Sequence, residues 1–492
     1  MKLRHGFVIL RRIMAESVSS ILSREDVLSN EIDCDGNFDG LLRKKLMNPV
    51  MVVAGTRPEA IKLSPVIRWL QKLRIDTIFT WSGQHYDYEL SRVFFEQLDL
   101  PEPDVNLDVR SGSHAEQTAK AMIRLEKIIT QYKPSLVVAE GDTNTVAAAA
   151  LTAIKTRVPF AHVEAGLRSY DRTMPEEINR IVADSLSELL FAPTELAVMN
   201  LTNEGIPLRK IHLTGNTVVD VVIEHQETAR QKGTELLEEL NISPDGYLLI
   251  TLHRQENTEY SRLSDIIKAL SLLSEGYKII FPIHPRTKNK LQSTGLYETL
   301  KRKENLMLIP PLGYFEFLGL LLHSLAVLTD SGGVQEEALT LGIPTVTLRY
   351  NTERPETVQC EMNVLAGTEP ESISNLTEDQ IQKFEELRNN LKRKPNPFGD
   401  GNAGRRIAIT IKDAVEAGIK VEASDTRHDP YIVYRLINSK QLSSIDNNFE
   451  ILGTYNQAGY PQLTPMHNNH TSRNSRILVR APLKEMTRIL KE

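Results

Sequence analysis

The sequence predicts an α/β protein with two doubly wound parallel sheets that face each other across a cleft. Short apolar runs alternate with amphipathic segments from Pro49 onward. The alternation is interrupted by a long charged helical stretch near residues 220–245, and a second alternating series follows it. Alternation of this kind is typical of parallel strands connected by helices on both faces. The interruption therefore indicates a hinge between two domains.

Each half supplies five strand candidates. After the first strand, apolar residues recur at helical spacing from Leu63 to Leu73. Ligands of such sheets bind beyond the carboxyl ends of the strands, so the cleft between the domains is the expected site. The expected strands are Val50–Ala54, Ile75–Trp81, Leu136–Glu140, Phe160–Val163 and Leu189–Ala192 in the first half, and Tyr247–Leu252, Tyr277–Ile283, Leu306–Ile309, Ala326–Thr329 and Pro344–Leu348 in the second.

The composition argues against several classes of partner. The 492 residues include 58 basic and 64 acidic ones, and a net charge of −6 gives no broad field for nucleic acid or an acidic membrane. The basic N-terminus has too short an apolar run for a secretory signal, and no stretch is long enough to span a membrane. The two cysteines, Cys34 and Cys360, make no disulfide framework and are expected to be reduced thiols. A cytoplasmic protein is expected.

A glycine-containing loop in the second half indicates a phosphate site. Thr329–Glu337 follows an expected strand and opens a helix with Ser-Gly-Gly, so that backbone amides and the helix dipole can meet a phosphate. An N-capped helix after a tight turn explains the same residues equally well. In the first half, Arg57 and Lys62 could reach a diphosphate, although Lys62 alone would suit a solvated helix face. The dinucleotide fingerprint GxGxxG is absent from both loops.

Charged residues cluster where buried strands end, which is the edge of a parallel sheet where ligands bind. Asp142 and Glu164 follow two strands of the first half, and Glu176 opens the next helix. Asp142 as an N-cap and Glu176 as a first-turn acid are the structural alternatives. His253 and the His284-Pro285-Arg286 segment end strands of the second half. A metal site is not expected, because no pair of ligands has compact metal spacing.

Together the motifs resemble the non-hydrolysing UDP-N-acetylglucosamine 2-epimerase family. The resemblance runs from about Pro49 to Lys420, with matching segments in the family's order. They are GTRPEAIKLSPVI, SGQH, GDTNT, HVEAGLRS, MPEEINR, FAPTE, TGNTVVD, HRQEN, HPR, DSGGVQEEA, NTERPE and NPFGDGNAGRRI.

The resemblance implies two Rossmann-like domains of the glycosyltransferase-B type, a homodimer, a UDP-sugar substrate and no cofactor. A final helix at Ala403–Val415 would cross back to the first domain. The implied domains are 49–225, with the returning segment at about 403–420, and 226–402. Extensions at 1–48 and 421–492 have no family counterpart and no assigned role. The implied site residues are Asp142, Glu164, Glu176 and His253 for catalysis, and Arg57, Lys62, Phe317, Ser331, Gly332, Gly333, Glu337 and Arg354 for the nucleotide, with Phe317 against the uracil and Ser331–Gly333 at the diphosphate.

One departure from the family concerns activation by a second substrate molecule. SGQH is followed by Tyr86 and Asp87, where bacterial members with such an activator site typically have Arg and a further polar residue. Allosteric activation is therefore not expected.

The implied reaction inverts C2 of the sugar. No carbonyl group neighbours C2, so the route is elimination of UDP to a glycal, followed by re-addition of UDP with protonation of C2 on the other face. Asp142 or Glu164 would be the base, with Glu176 assisting, and His253 would serve the leaving diphosphate or orient a carboxylate. Three alternatives stay open: a hydrolysing epimerase, a glycosyltransferase of the same fold, and a UDP-sugar-binding regulator without catalytic activity.

Overall fold

The computed structural model describes residues 48–83, 95, 98–254, 256–392, 395–422, 432–438, 450–455 and 476–482. Most of the expected N-terminal extension lies outside these ranges, as do Cys34, Tyr86, Asp87 and the polar segment His467–Ser472. Within the described residues, no helix combines the length and the apolar character needed to cross a membrane.

The first half contains a seven-stranded sheet in which every pair of neighbouring strands is parallel. Its order is β3-β2-β1-β4-β5-β6-β7. The strands are β1 (Val50–Ala54), β2 (Thr77–Trp81), β3 (Val105–Asn106), β4 (Leu136–Glu140), β5 (Phe160–Val163), β6 (Leu189–Ala192) and β7 (Ile211–Leu213), and the helices between them are α1 (Arg57–Lys72), α2 (His114–Tyr132), α3 (Asn144–Lys155), α4 (Pro175–Leu186) and α5 (Glu195–Asn203).

The second half contains a six-stranded parallel sheet of order β10-β9-β8-β11-β12-β13. Its strands are β8 (Tyr247–Thr251), β9 (Lys278–Pro282), β10 (Leu306–Ile309), β11 (Ala326–Thr329), β12 (Thr345–Thr347) and β13 (Asn363–Leu365). The helices of this part are α6 (Thr217–Leu240), α7 (Tyr260–Leu273), α8 (Pro285–Ser293), α9 (Leu296–Lys301), α10 (Tyr314–Leu322), α11 (Gly332–Leu341), α12 (Pro355–Gln359), α13 (Pro370–Gln382), α14 (Phe384–Lys392) and α15 (Ala403–Glu416).

The apolar runs form these strands because the central strands are covered on both faces. Every residue of β1 and β4 is buried, as expected for strands of a parallel sheet between two helical layers. The predicted fold class is confirmed. The sequence pattern does not predict three strands of the parallel sheets, β3, β7 and β13, because segments of two or three residues give too little periodicity to recognise.

Two helices join the halves. Helix α6 runs without a break through most of the stretch expected to be a hinge. Helix α15 returns to pack on α1, where a Cβ on Gly404 would lie 2.5 Å from the Pro65 Cβ, so glycine permits the close approach. The Asp220 carboxylate of α6 accepts hydrogen bonds from the Ala403 and Gly404 amides at 3.1 and 2.8 Å. These contacts satisfy amides at the start of α15.

The C-terminal extension contributes an antiparallel sheet that the sequence pattern did not reveal. Strands β14 (Ile432–Asn438), β15 (Glu450–Tyr455) and β16 (Arg476–Pro482) pair in the order β14-β16-β15.

Candidate active site

The carboxyl ends of neighbouring strands in the first sheet present a row of acids. Glu140 ends β4, Asp142 follows two residues later, and Glu164 comes directly after β5, which pairs with β4 in parallel. Glu164 has φ of 68°. A non-glycine residue in the left-handed region is uncommon and costs on the order of 1–3 kcal/mol, which the surrounding contacts must offset.

Glu164 binds two cations, one from each half of the protein. One carboxylate oxygen pairs with Lys62 Nζ of α1, and the other with Arg354 Nη2, which precedes α12. Lys62 Nζ also lies 3.1 Å from Glu140 Oε1, and Arg354 Nε lies 2.5 Å from Glu336 Oε1 on α11. The Lys62–Glu164–Arg354 bridge therefore connects the acidic edge of the first sheet to the second half.

The charges of the bridge set the protonation of its members. Burial alone would raise the pKa of Glu164, but Lys62 and Arg354 hold that pKa well below its usual range. Burial raises the pKa of Glu140 well above its usual range, and Lys62 only partly opposes this. Glu164 is therefore a carboxylate with both oxygens engaged, which makes it a weak base in this state.

The glycine-opened helix α11 begins beside the bridge. A Cβ on Gly332 would lie 2.5 Å from Glu353 Oε1 and 3.7 Å from Arg354 Cζ, whereas one on Gly333 would meet nothing within 4 Å. The Ser331 amide donates to Thr329 Oγ1 at 3.0 Å, and the Ser331 side chain makes no capping bond. The first-turn amides of α11 are therefore the donors that an anion can reach, and Gly333 leaves room for it.

The remaining acids are more accessible than Glu164. The side chain of Asp142 is 34% exposed, and its Oδ2 lies 2.5 Å from Arg180 Nη1. Thr143, not Asp142, is the N-cap of α3, so the N-cap alternative for Asp142 is wrong. Glu176 lies in the first turn of α4 and is partly exposed. The neighbouring Glu177 instead accepts from two backbone amides and from Arg180, which fixes the start of α4.

His253 follows strand β8 of the second half, and its side chain contacts Asp330. Its side chain is 41% exposed, and Nδ1 lies 3.1 Å from Asp330 Oδ1. Asp330 is fully buried and also accepts from the His253 and Arg254 amides. Burial would raise the pKa of Asp330, but His253 and these amides lower it.

Arg254 shows that the acids of the first sheet lie within electrostatic reach of this strand end. Burial lowers the pKa of Arg254, but the charges of Glu353, Glu176 and Asp142 together raise it. Its Nη2 lies 3.0 Å from Glu353 Oε1. The accessible acids of the first half and the His253 segment of the second therefore share one electrostatic environment.

The other expected nucleotide residues have diverse surroundings. Phe317 on α10 is partly buried against a core cluster, so core packing explains part of its environment. Glu337 on α11 is buried, and burial raises its pKa to about 7. Arg57 is the first residue of α1 and is partly exposed. Lys62 is only 13% exposed and is ion-paired, so the solvated-face alternative is wrong.

Several residues of the site were not identified from the sequence. The sequence predicts Glu140 only as the last residue of a strand, although an acid at the end of an apolar strand is itself a signal of a functional residue. Arg180, Asp330 and Glu336 interact with residues that are 38, 77 and 18 positions away. No local pattern reveals such pairs.

Comparison with known proteins identifies the family of the chain. The profile of the family described as UDP-N-acetylglucosamine 2-epimerase matches residues 69–412. The UDP-N-acetylglucosamine 2-epimerase of Methanocaldococcus jannaschii is 47% identical over 361 residues, which are 72% of this chain and 96% of the relative. The UDP-2,3-diacetamido-2,3-dideoxy-D-glucuronate 2-epimerase of Pseudomonas aeruginosa is 39% identical, covering 73% of this chain and 98% of the relative.

A solved structure extends the similarity to the fold. The crystal structure of the Methanocaldococcus jannaschii enzyme in complex with UDP-GlcNAc and UDP has a TM-score of 0.69 and 46% identity. The match covers 74% of this chain and 99% of that one.

Proposed function

The chain belongs to the UDP-N-acetylglucosamine 2-epimerase family, and on that premise we propose that it interconverts UDP-N-acetylglucosamine and UDP-N-acetylmannosamine without hydrolysis. The Lys62–Glu164–Arg354 bridge is the observation that supports this most. It sets two cations beside the glycine-opened helix α11, and Asp142 follows the strand next to the one that Glu164 follows. A diphosphate leaving group and a sugar that must lose a proton require both features.

The reaction proceeds by elimination and re-addition. A base takes the C2 proton, the C2–H electron pair forms the C1–C2 double bond, and the C1–O bond breaks with its electrons going to the UDP oxygen. Re-addition of that oxygen to C1, with protonation of C2 on the opposite face, gives the epimer. Atoms and charges balance without a redox cofactor.

The surroundings of the acids favour a division of roles. Asp142 and Glu176 are accessible and suit proton transfer at C2. Glu164 has both oxygens bound to cations, so we assign it to placing Lys62 and Arg354 for the departing diphosphate. His253, oriented by Asp330, suits a donor to the leaving group.

The nucleotide would lie along the second half. The first-turn amides of α11, beginning after Ser331, suit the diphosphate. The Glu337 carboxyl suits ribose hydroxyls, and Phe317 suits the uracil, as the family resemblance implies. Arg57 would add a cation from the start of α1. A homodimer acting in the cytoplasm, supplying a sugar nucleotide for polysaccharide synthesis, completes the proposal.

Reaction in heavy water tests the mechanism. Because the C2 proton is removed and replaced from solvent, deuterium should appear at C2 of both the substrate and the product recovered at equilibrium. NMR of a reaction containing only protein and UDP-N-acetylglucosamine measures this. Recovery of epimer without deuterium at C2 would contradict elimination.

The same spectra distinguish the alternatives. Free N-acetylmannosamine with accumulating UDP would indicate the hydrolysing reaction, and no turnover with retained UDP binding would indicate a regulator. Turnover without an acceptor excludes a glycosyltransferase. UDP-2,3-diacetamido-2,3-dideoxy-D-glucuronate, the substrate named for the Pseudomonas aeruginosa relative, serves as the comparison substrate for specificity.

Isosteric replacement of the two acids tests their roles. Asp142→Asn should lower kcat by on the order of 10²–10⁴, the range for loss of a general acid or base, with UDP affinity near that of the wild type. Glu164→Gln should lower kcat and also raise KM, because Lys62 and Arg354 lose their shared anchor. Asp413→Asn, on the exposed side of α15, is the matched control. Wild-type kcat in Asp142→Asn would contradict the assignment.

Alanine substitutions at two neighbouring glycines distinguish an effect on UDP binding from an effect on stability. A Cβ on Gly333 meets no protein atom within 4 Å, so Gly333→Ala should keep the wild-type Tm. It should weaken UDP binding by about tenfold, or about 1.4 kcal/mol, by filling the anion's approach. Gly332→Ala would instead press on Glu353 and should lower the Tm. Calorimetric titration with UDP measures affinity, and wild-type affinity in Gly333→Ala would argue against a diphosphate at this helix.

A further inference from the structure

The bridge contains more buried acids than cations. Lys62 and Arg354 are the two cations, and Glu140, Glu164 and Glu336 are the three carboxyls that contact them. The exposed fractions of Glu140 and Glu336 are 2% and 0%. A buried site with more carboxylates than cations is costly unless one of the acids is protonated. Burial raises the pKa of Glu140 well above its usual range, so Glu140 carries a proton and two carboxylates face two cations before ligand binds.

Glu336 has one oxygen that no donor among the described residues reaches. Its Oε1 accepts from Asn216 Nδ2 at 2.8 Å and from Arg354 Nε at 2.5 Å. Its Oε2 is buried and has no hydrogen-bonding partner in the part of the chain that the structure describes, and neither does the neighbouring Arg354 Nη1. An ionised carboxylate oxygen without a donor is unfavourable in a buried site, and a proton on Oε2 would remove that charge.

A bound nucleotide sugar would add negative charge that no cation of the bridge balances. This step depends on the proposed function, in which a UDP-sugar diester brings two further negative charges to Lys62 and Arg354. The cations are already engaged by carboxylates, so the ligand would enter a site with excess negative charge. Protonation of one acid removes part of this repulsion, and it costs less free energy than keeping every acid ionised.

The groups around Glu336 come from four other parts of the chain. Lys62 belongs to α1, Glu164 follows β5, Asn216 caps α6, and Arg354 precedes α12; on its own helix α11, Glu337 is the neighbouring acid. Burial raises the pKa of Glu336 to about 7, with Arg354 opposing and Glu164 reinforcing the increase. The carboxyl is therefore partly ionised near neutral pH before ligand arrives.

We propose that binding of a UDP-sugar takes up a proton and that Glu336 holds it, on Oε2. The acid is then a positioning residue that keeps its bond to Arg354 while its negative charge is removed. Since the ligand raises the pKa of this group, affinity is highest below the free-state pKa and weakens as pH rises above about 7. If one full proton is taken up, Kd increases by at most about tenfold for each pH unit.

Calorimetric titration of the full-length protein with UDP-N-acetylglucosamine measures the proton directly. Titrations at pH 8 in phosphate and in Tris, which differ in ionisation enthalpy, should show uptake of more than half a proton per site. The sugar diester is the probe because UDP itself ionises near neutrality. Epimerisation neither consumes nor releases protons, so turnover does not contribute to the difference between buffers.

Two variants assign the proton. Glu336→Gln should bind the ligand with most of the uptake lost, and its Kd should change little between pH 7 and pH 8.5. Glu239→Gln, which removes an exposed acid of α6, should take up the same proton as the wild type. Equal enthalpies in both buffers for the wild type, or undiminished uptake in Glu336→Gln, would overturn the proposal.

An infrared difference spectrum covers the case in which Glu336→Gln does not fold. Ligand binding to the wild type should produce the C=O band of a protonated carboxyl, and absence of that band would contradict the proposal. Turnover measured on the same samples separates the two hypotheses. Epimerisation without proton uptake defeats only this inference, whereas proton-linked binding without epimerisation defeats only the proposed reaction.

Discussion

The pairing of Glu164 with Lys62 and Arg354 is the interaction on which the site depends. One carboxylate, at the end of a strand in the first sheet, binds a cation of its own half and a cation of the other half. The same cations contact Glu140 and Glu336. The bridge thereby places a helix N-terminus opposite an acidic sheet edge, although the two segments are far apart in the sequence. Breaking such a buried pair on one side leaves an uncompensated charge and typically costs 3–5 kcal/mol.

Parallel topology explains why the bridge can form. The carboxyl ends of β4 and β5 are adjacent because these strands pair in parallel. In the second sheet, β8 and β11 also pair in parallel, which brings His253 and Asp330 together. Each half thus supplies its reactive groups from one edge of a sheet. The left-handed backbone at Glu164 is a local strain that the two ion pairs offset.

The sequence predicted the repeating architecture much better than the electrostatics of the site. Runs of buried apolar residues such as β1 and β4 are recognisable as strands in the sequence, whereas the shorter β3 and β7 are not. For Lys62 alone the sequence favours a solvated helix face, because its partners, Glu140 and Glu164, are 78 and 102 residues away. The excess of buried acid around Glu336 follows only from three-dimensional proximity. The family motifs located most of the expected site residues, and contacts in space then suggested different roles for Glu164 and Asp142.

A crystal structure of the protein with UDP-N-acetylglucosamine bound would show whether the bridge and helix α11 hold the nucleotide. We expect the diphosphate at the first turn of α11, in contact with Lys62 or Arg354, and C2 of the sugar beside Asp142 or Glu176. We also expect Glu164 to remain bonded to at least one of its cations. A nucleotide bound elsewhere on the protein, or a sugar directed away from these acids, would contradict the account.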